Sequence, residues 1–355
     1  MENLEDKFRD HKFVCPGCKG KLDYSNDLFS CPQCKNSWPL VEGLADFRVS
    51  KDKYWGEHPE EEIDRLILRC KQVGWSQALR DFFTVSDPEY YDSIIDKMRA
   101  NWHFLVPLDK DARILDAGCG WGPLSFELAS VYKEVIAFDI TMQRLRFIDL
   151  RRVSEDLNNL TPVCGQVNHL PFPDGHFDLV IFNGILEWIP VMESKINPYL
   201  AQLQALKEAA RVLKKSGYLY LAIENRWSVI NFLGFKDAHS HLRFAPLLPR
   251  FLADIYSRVV RKKDFREYTH TYWQQEKILK EAGFSETKFY SPLPAYRRFQ
   301  FILPLNRVSR TKFFVRHLFR PRDNLQVFFS RIIRLPFVLN LTKYFVPDFS
   351  IFAKK

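Results

Sequence analysis

The 355-residue chain has no apolar run of the roughly 18 residues that would span a bilayer. Its longest approach, residues 325–341, is broken by Arg331 and Arg334. The first ten residues are polar and charged, without the charged, apolar and small-residue order of a secretory leader. These absences predict a cytoplasmic chain, where thiols stay reduced. A third shortage is local. Between Arg297 and Lys343 the only acid is Asp323, against eleven Lys or Arg, a net charge of +10 in a chain that totals +9. The basic character therefore belongs to one segment and asks for a local explanation.

What the sequence does have is cysteine in one place. Cys15, Cys18, Cys31 and Cys34 form two CxxC pairs within twenty residues, while Cys70, Cys119 and Cys164 stand apart and read as small apolar residues. Each pair sets two sulfurs on a tight knuckle. Two facing knuckles supply the closed four-thiolate cage that Zn2+ prefers, which leaves no open position for catalysis. A unit of about fifty residues has little core of its own, and a structural metal supplies folding energy instead. With Trp38-Pro39 and Gly43 before Phe47, residues 12–47 resemble a small zinc-ribbon domain.

Residues 51–105 have apolar positions at helical spacing, in 59–83 and again in 88–106, and read as a helical connector. Beyond them strands and helices alternate. Strands are expected at 113–118, 134–139, 177–183, 217–225 and 286–292, and helices at 197–216 and 272–284. Such alternation argues for a mostly parallel sheet covered on both faces.

The first of these strands runs into Gly118, Gly120 and Gly122, with Asp116 two residues ahead. A dinucleotide fingerprint would be G-x-G-x-x-G, and here the third glycine comes one position early. An acid at the strand end suits a cationic ligand group, and bare glycine backbone lets it approach. Asp139 ends the next strand, where a carboxylate can accept from both hydroxyls of a ribose. Residues 165–172 and Phe177-Asp178-Leu179-Val180 complete the pattern. Over residues 110–225 it resembles the class I S-adenosylmethionine-dependent methyltransferases of the type 11 kind, whose members are often fused to, or partnered with, a zinc ribbon like that of 12–47.

The resemblance implies an α/β fold: a Rossmann-like core with a seven-stranded, mostly parallel sheet, a small N-terminal zinc-ribbon β domain and helical insertions. It implies three parts: a ribbon at 1–50, a helical connector or cap at 51–105, and a core at 106–355 with insertions near 226–265 and 297–343. Carried over residue by residue, Asp116, Gly118, Gly120 and Gly122 would hold the methionine part of S-adenosylmethionine. Asp139 would take the ribose, Ile140 would lie beside the adenine, Gln166 and Val167 would contact its edge, and Asn183 would face the methyl group. Gln166 stands where the family usually has an acid.

Methyl transfer needs an aligned acceptor, and a hydroxyl acceptor also needs a base. Signatures of DNA amino-methylation, of attack on a pyrimidine ring and of metal-dependent catechol methylation are absent, which leaves oxygen as the default acceptor. Candidate catalytic residues follow the fourth and fifth strands, where open α/β sheets hold their ligands: Glu187, Glu224 and, in the insertion, His239. A histidine near its reference pKa of about 6.5 suits a base; His241 and His270 are its neighbours in sequence. The stretch 222–260, with its Glu224-Asn225-Arg226 and His239-Ser240, resembles methyltransferases of bacterial cell-surface polysaccharide synthesis. That implies a saccharide or lipid-linked glycan acceptor. An RNA or quinone-type lipid acceptor, or a non-catalytic cofactor-binding partner subunit, is the alternative.

In 297–343 the eleven cations alternate with eight phenylalanines. Cations beside large apolar groups at helical spacing describe a helix in a membrane interface. This predicts peripheral association with an anionic membrane, at its inner face. Single-stranded RNA and a packed lid are the competing readings, with nucleic acid behind the other two. The oligomeric state is left open.

Overall fold

A computed structural model describes residues 13–50, 58–86, 88–318 and 336–355. Residues 1–12, 51–57, 87 and 319–335 lie outside the described residues. So do, therefore, the start of the expected ribbon and connector and the centre of the basic aromatic segment. The chain divides into two units. The first comprises residues up to Asn183, with Gln204–Leu219 and Lys355; the second comprises Gly184–Leu203 and Tyr220–Lys354.

The first unit opens with an antiparallel meander, β1 (Asp23–Ser25), β2 (Leu28–Ser30), β3 (Ser37–Val41) and β4 (Leu44–Asp46). Its hairpins turn on Asn26-Asp27 and Glu42-Gly43, all four at positive φ, as two-residue turns between twisted strands require. The two cysteine knuckles repeat each other. Lys19 N donates to Cys15 O, Lys35 N donates to Cys31 O, and both lysines take φ of 62°.

This meander does not end as a separate ribbon. β4 pairs in parallel with β7 (Leu160–Cys164), Ala45 opposite Val163. The strands β5 (Arg113–Ala117), β6 (Glu134–Asp139) and β8 (Phe177–Asn183) continue the sheet in the order β1-β2-β3-β4-β7-β6-β5-β8, parallel from β4 to β8. The β5, β6 and β8 sequences are almost wholly apolar because strands of a parallel sheet are buried on both faces. Phe13, Phe29, Phe47 and Phe172 pack the meander onto that sheet with ring centroids 4.9–5.7 Å apart. Lys19 Nζ meets Glu208 at 2.7 Å.

Helices follow as α1 (Glu60–Val73), α2 (Trp75–Ser86), α3 (Pro88–Ile95), α4 (Pro123–Ala129) and α5 (Met142–Ser154). The single helical pattern read over 59–83 is broken at Gly74, whose φ of 83° ends α1. The pattern over 88–106 becomes α3 and a 3-10 stretch, Lys97–Leu105. β7 and α5 were not among the expected elements: β7 contains Pro162 and is short, and α5 carries Arg at 144, 146, 151 and 152, which blurs its apolar period.

Helix α6 (Pro198–Val212) and strand β9 (Leu213–Glu224) each have residues in both units. In the second unit the strand order is β9-β12-β10-β11, with β10 (Glu286–Leu293), β11 (Phe301–Pro304) and β12 (Asp348–Lys354) antiparallel to one another where they pair. β7-β6-β5-β8 in the first unit and β9-β12-β10 in the second account for the seven core strands of the expected α/β fold. The second unit also holds α7 (Arg250–Arg261), α8 (Tyr272–Glu281) and α9 (Pro336–Phe345). Thr271 and Gln274 start α8 with a reciprocal capping box.

Candidate functional site

In the first unit, β5, β6, β7 and β8 end at Ala117, Asp139, Cys164 and Asn183. All the residues assigned to the cofactor cluster at or just beyond these strand ends. Gly118, Gly120 and Gly122 all sit at positive φ, which bends the chain sharply between β5 and α4. Asp139 braces this turn: its Oδ2 accepts from Gly120 N at 2.9 Å and its Oδ1 from Thr141 N at 2.8 Å. Each oxygen keeps a lone pair for a ligand hydroxyl.

A Cβ placed on Gly120 would meet nothing within 4 Å, whereas one on Gly122 would press on Phe126 at 3.0 Å. Gly122 is glycine for packing; Gly120 borders open space. Asp116 is 2% exposed and accepts a 2.6 Å hydrogen bond from Ser125 Oγ. Burial pushes its carboxyl up to about 6. A cationic ligand group would complement such a carboxylate, so the open glycine turn and the two acids fit an amino-acid-plus-ribose ligand such as S-adenosylmethionine. Gln166 is engaged elsewhere: its Oε1 accepts from Val49 N at 2.8 Å and ties the meander's exit to β7's end. Ile140 and Val167 are half-buried, and so is Asn183 at the end of β8.

The four cysteines also converge. Cys15 and Cys34 sulfurs are 3.5 Å apart, Cys18 and Cys31 sulfurs 3.4 Å, and all four lie within 4.8 Å of one another. A tetrahedral zinc with Zn–S of about 2.3 Å needs sulfurs about 3.8 Å apart, so the cage fits with a few tenths of an ångström of expansion. The backbone N–H of Cys34 lowers the Cys31 thiol to about 7.

The second unit brings together the three candidate catalytic residues. His239 Nε2 lies 3.0 Å from Glu224 Oε2 and 3.6 Å from Glu187 Oε1. Glu187 is fully buried, and neither of its oxygens has a hydrogen-bond partner among the described residues. Burial, then the Glu224 charge, pushes Glu187 up to about 8. Burial alone would also raise Glu224, but His239 outweighs it and holds Glu224 at about 2. Burial would lower His239, and the Glu224 charge reverses that to about 9. His239 is fixed by the turn before it, where Asp237 Oδ2 accepts from Ser240 N and Oγ, and by the edge-on ring of Trp188 at 4.9 Å.

Of the neighbouring histidines, His241 is an exposed turn residue with φ of 57°. His270 is buried, bonds Gln202 Oε1 at 2.8 Å and is driven by burial to about 3, so it stays neutral. Sequence reasoning missed Tyr296, whose hydroxyl donates to Glu224 Oε1 at 3.1 Å while Arg297 Nε donates to that hydroxyl at 3.4 Å. The signal for it is Gly184: a Cβ there would fall 2.5 Å from the Tyr296 oxygen. The donor atoms of Glu187, Glu224 and His239 lie within 4.8 Å of one another, a set that a divalent cation can also use.

A family model described as a methyltransferase domain matches residues 115–221. The chain carries a methyltransferase domain. That domain spans the glycine turn, both acids, Glu187 and the body of β9. Among curated relatives, an uncharacterised protein of Methanocaldococcus jannaschii is 32% identical over 38% of this chain and 51% of its own. A malonyl-[acyl-carrier protein] O-methyltransferase of Yersinia pestis is 32% identical over 46% of this chain and 65% of its own. A demethylmenaquinone methyltransferase of Listeria monocytogenes is 27% identical over 61% of this chain and 90% of its own. The chain thus spans about half of the first relative and 65% of the second. A solved S-adenosylmethionine-dependent methyltransferase from Archaeoglobus fulgidus aligns with 75% of this chain and 98% of its own at 17% identity, with a TM-score of 0.42.

Proposed function

We propose that the protein transfers a methyl group from S-adenosylmethionine to an oxygen of a saccharide or lipid-linked glycan. The observation that carries this is the methyltransferase-domain match over a glycine turn that is open at Gly120 and flanked by Asp116 and Asp139. Bound S-adenosylmethionine would supply an activated methyl group on a sulfonium. Asp116 would neutralise the amino end of that ligand, Asp139 would accept from its ribose hydroxyls, and the Gly118–Gly122 backbone would admit it without a side chain in the way. A hydroxyl acceptor has to lose its proton to take that methyl group, and in the second unit His239 would accept the proton at Nε2. Glu224 and Glu187 then stabilise the imidazolium. The four cysteines would hold a structural zinc.

A quinone-type lipid is a second reading of the acceptor. It is favoured by the alignment with 90% of the demethylmenaquinone methyltransferase. Calorimetric titration of zinc-loaded protein with S-adenosylmethionine and with NAD+ tests the donor. Binding of the former alone, weakened roughly 10- to 100-fold in Asp139→Ala, is expected. No binding by folded protein would overturn the reading. S-adenosylhomocysteine release on adding glycolipid or quinone acceptors then separates the two acceptors.

A further inference from the structure

The stretch 229–261 of the second unit wears its bulky apolar side chains outward. Helix α7 buries Ala253 and Ser257, the two small residues one turn apart on one face. Its large residues Phe251, Leu252, Ile255, Val259 and Val260 are exposed, Phe251 at 64% and Val259 at 67%. A helix that packs for stability turns its large apolar face inward, and here the faces are reversed.

A second group continues the patch. Ile230, Phe232, Leu233, Phe235 and Phe244 are all exposed. Phe244 lies over Gly234, where a Cβ would fall 2.6 Å from its ring, and Arg243 donates to the Gly234 carbonyl. Beneath both groups runs one small core of Leu242, Ala245, Ala253 and Phe265. Ten large apolar side chains are thus displayed on one substructure, far more than scattered surface residues account for.

The charge around them is mainly positive. Residues 226–263 contain eight Lys or Arg and two acids. Lys236, Arg243, Lys262 and Lys263 are exposed among the apolar groups, while Arg258 pairs with Asp264 at 2.6 Å. The core of a protein–protein patch is depleted of charge, whereas interleaved cations and phenylalanines match an anionic lipid surface. No described helix is long and apolar enough to cross a membrane, and α7 has twelve residues, so this element would lie on a bilayer.

We propose that residues 229–261 form an interfacial anchor that seats its phenylalanines in the surface of an anionic bilayer. The anchor is independent of the methyl-transfer reading and lies apart in sequence from the basic segment 297–343.

The test is co-sedimentation of the full-length, zinc-loaded protein with phosphatidylcholine vesicles, with and without phosphatidylglycerol. The wild type is expected to pellet with the anionic vesicles only. The double variant Phe235→Ser/Phe251→Ser loses about tenfold or more in vesicle affinity. Lys262→Gln/Lys263→Gln loses about fivefold for each cation removed. Both positions of each pair are exposed, and an unchanged melting temperature verifies folding. Phe251→Trp gives a blue-shifted emission on binding. Failure of the wild type to pellet, or equal pelleting by the Ser variant, overturns the proposal. Lipid-free dimerisation abolished by the Ser variant overturns it in favour of a second copy of the chain.

Discussion

Asp139 serves the backbone before it serves any ligand, since both its oxygens already hold amide hydrogens of the glycine turn and of Thr141. The three glycines around it differ in what they exclude, and substitution separates them. Gly120→Ala is expected to cost only about 1–2 kcal/mol of left-handed strain, yet to weaken S-adenosylmethionine binding far more than stability, because its Cβ enters the open space. Gly122→Ala should instead lower the melting temperature through its clash with Phe126. Parallel thermal melts and calorimetry read the two effects.

Glu187 gives a prediction in pH. Its carboxyl is raised to about 8, so its protonated form is favoured in the folded state. That contribution is complete below the ordinary carboxylate range and fades as pH rises through about 8, at about 1.4 kcal/mol per pH unit. His239, raised to about 9, fades on the same side, while Glu224, held at about 2, loses its contribution only as pH falls through that value. Stability should therefore decline from pH 6 to 9. Glu187→Gln should flatten that decline by about 2 kcal/mol, measured by urea titration at each pH. For turnover the sign reverses: His239 must shed its proton to act, so the rate should climb toward pH 9. His239→Gln should lower kcat about a hundredfold or more and abolish the climb. The three residues were legible in the sequence as polar groups after strand ends; their meeting was not, because 37 and 15 residues separate them along the chain.

At the scale of elements, the cysteine meander acts as the edge of the sheet. β4 lends its backbone to β7, and Val49, just beyond β4, donates its N–H to Gln166. Loss of a metal held by the four cysteines would then be felt beyond the meander. Chelation, or Cys18→Ser, should release one zinc per chain, lower the melting temperature by about 10 °C, and speed amide exchange in β7 as well as in β1–β4. Mass spectrometry of exchange would show this; protection of β7 left intact would reduce the ribbon to a separate appendage. The spacing of the cysteines is legible in sequence because a metal cage demands it. The pairing of β4 with β7 is not, because Leu44-Ala45-Asp46 is three residues long and says nothing about which edge will take it.

For the whole molecule, ligand linkage offers a direct reading of the donor site. S-adenosylmethionine at a hundred times its Kd should add about 2.7 kcal/mol, a rise of roughly 5–10 °C in melting temperature, and Asp139→Ala should abolish most of it. The sequence by itself determined the α/β alternation, the paired cysteine knuckles and the glycine turn with its acids, since each depends on short-range order: period, knuckle spacing, and glycines beside acids within a few residues. Only the tertiary structure decided that Glu187, Glu224 and His239 share one buried cluster and that Tyr296 joins it. It also decided that α7 turns its phenylalanine and valines outward. Burial, and the choice of which face a helix hides, are set by contacts between residues far apart in the chain, and no local pattern records them.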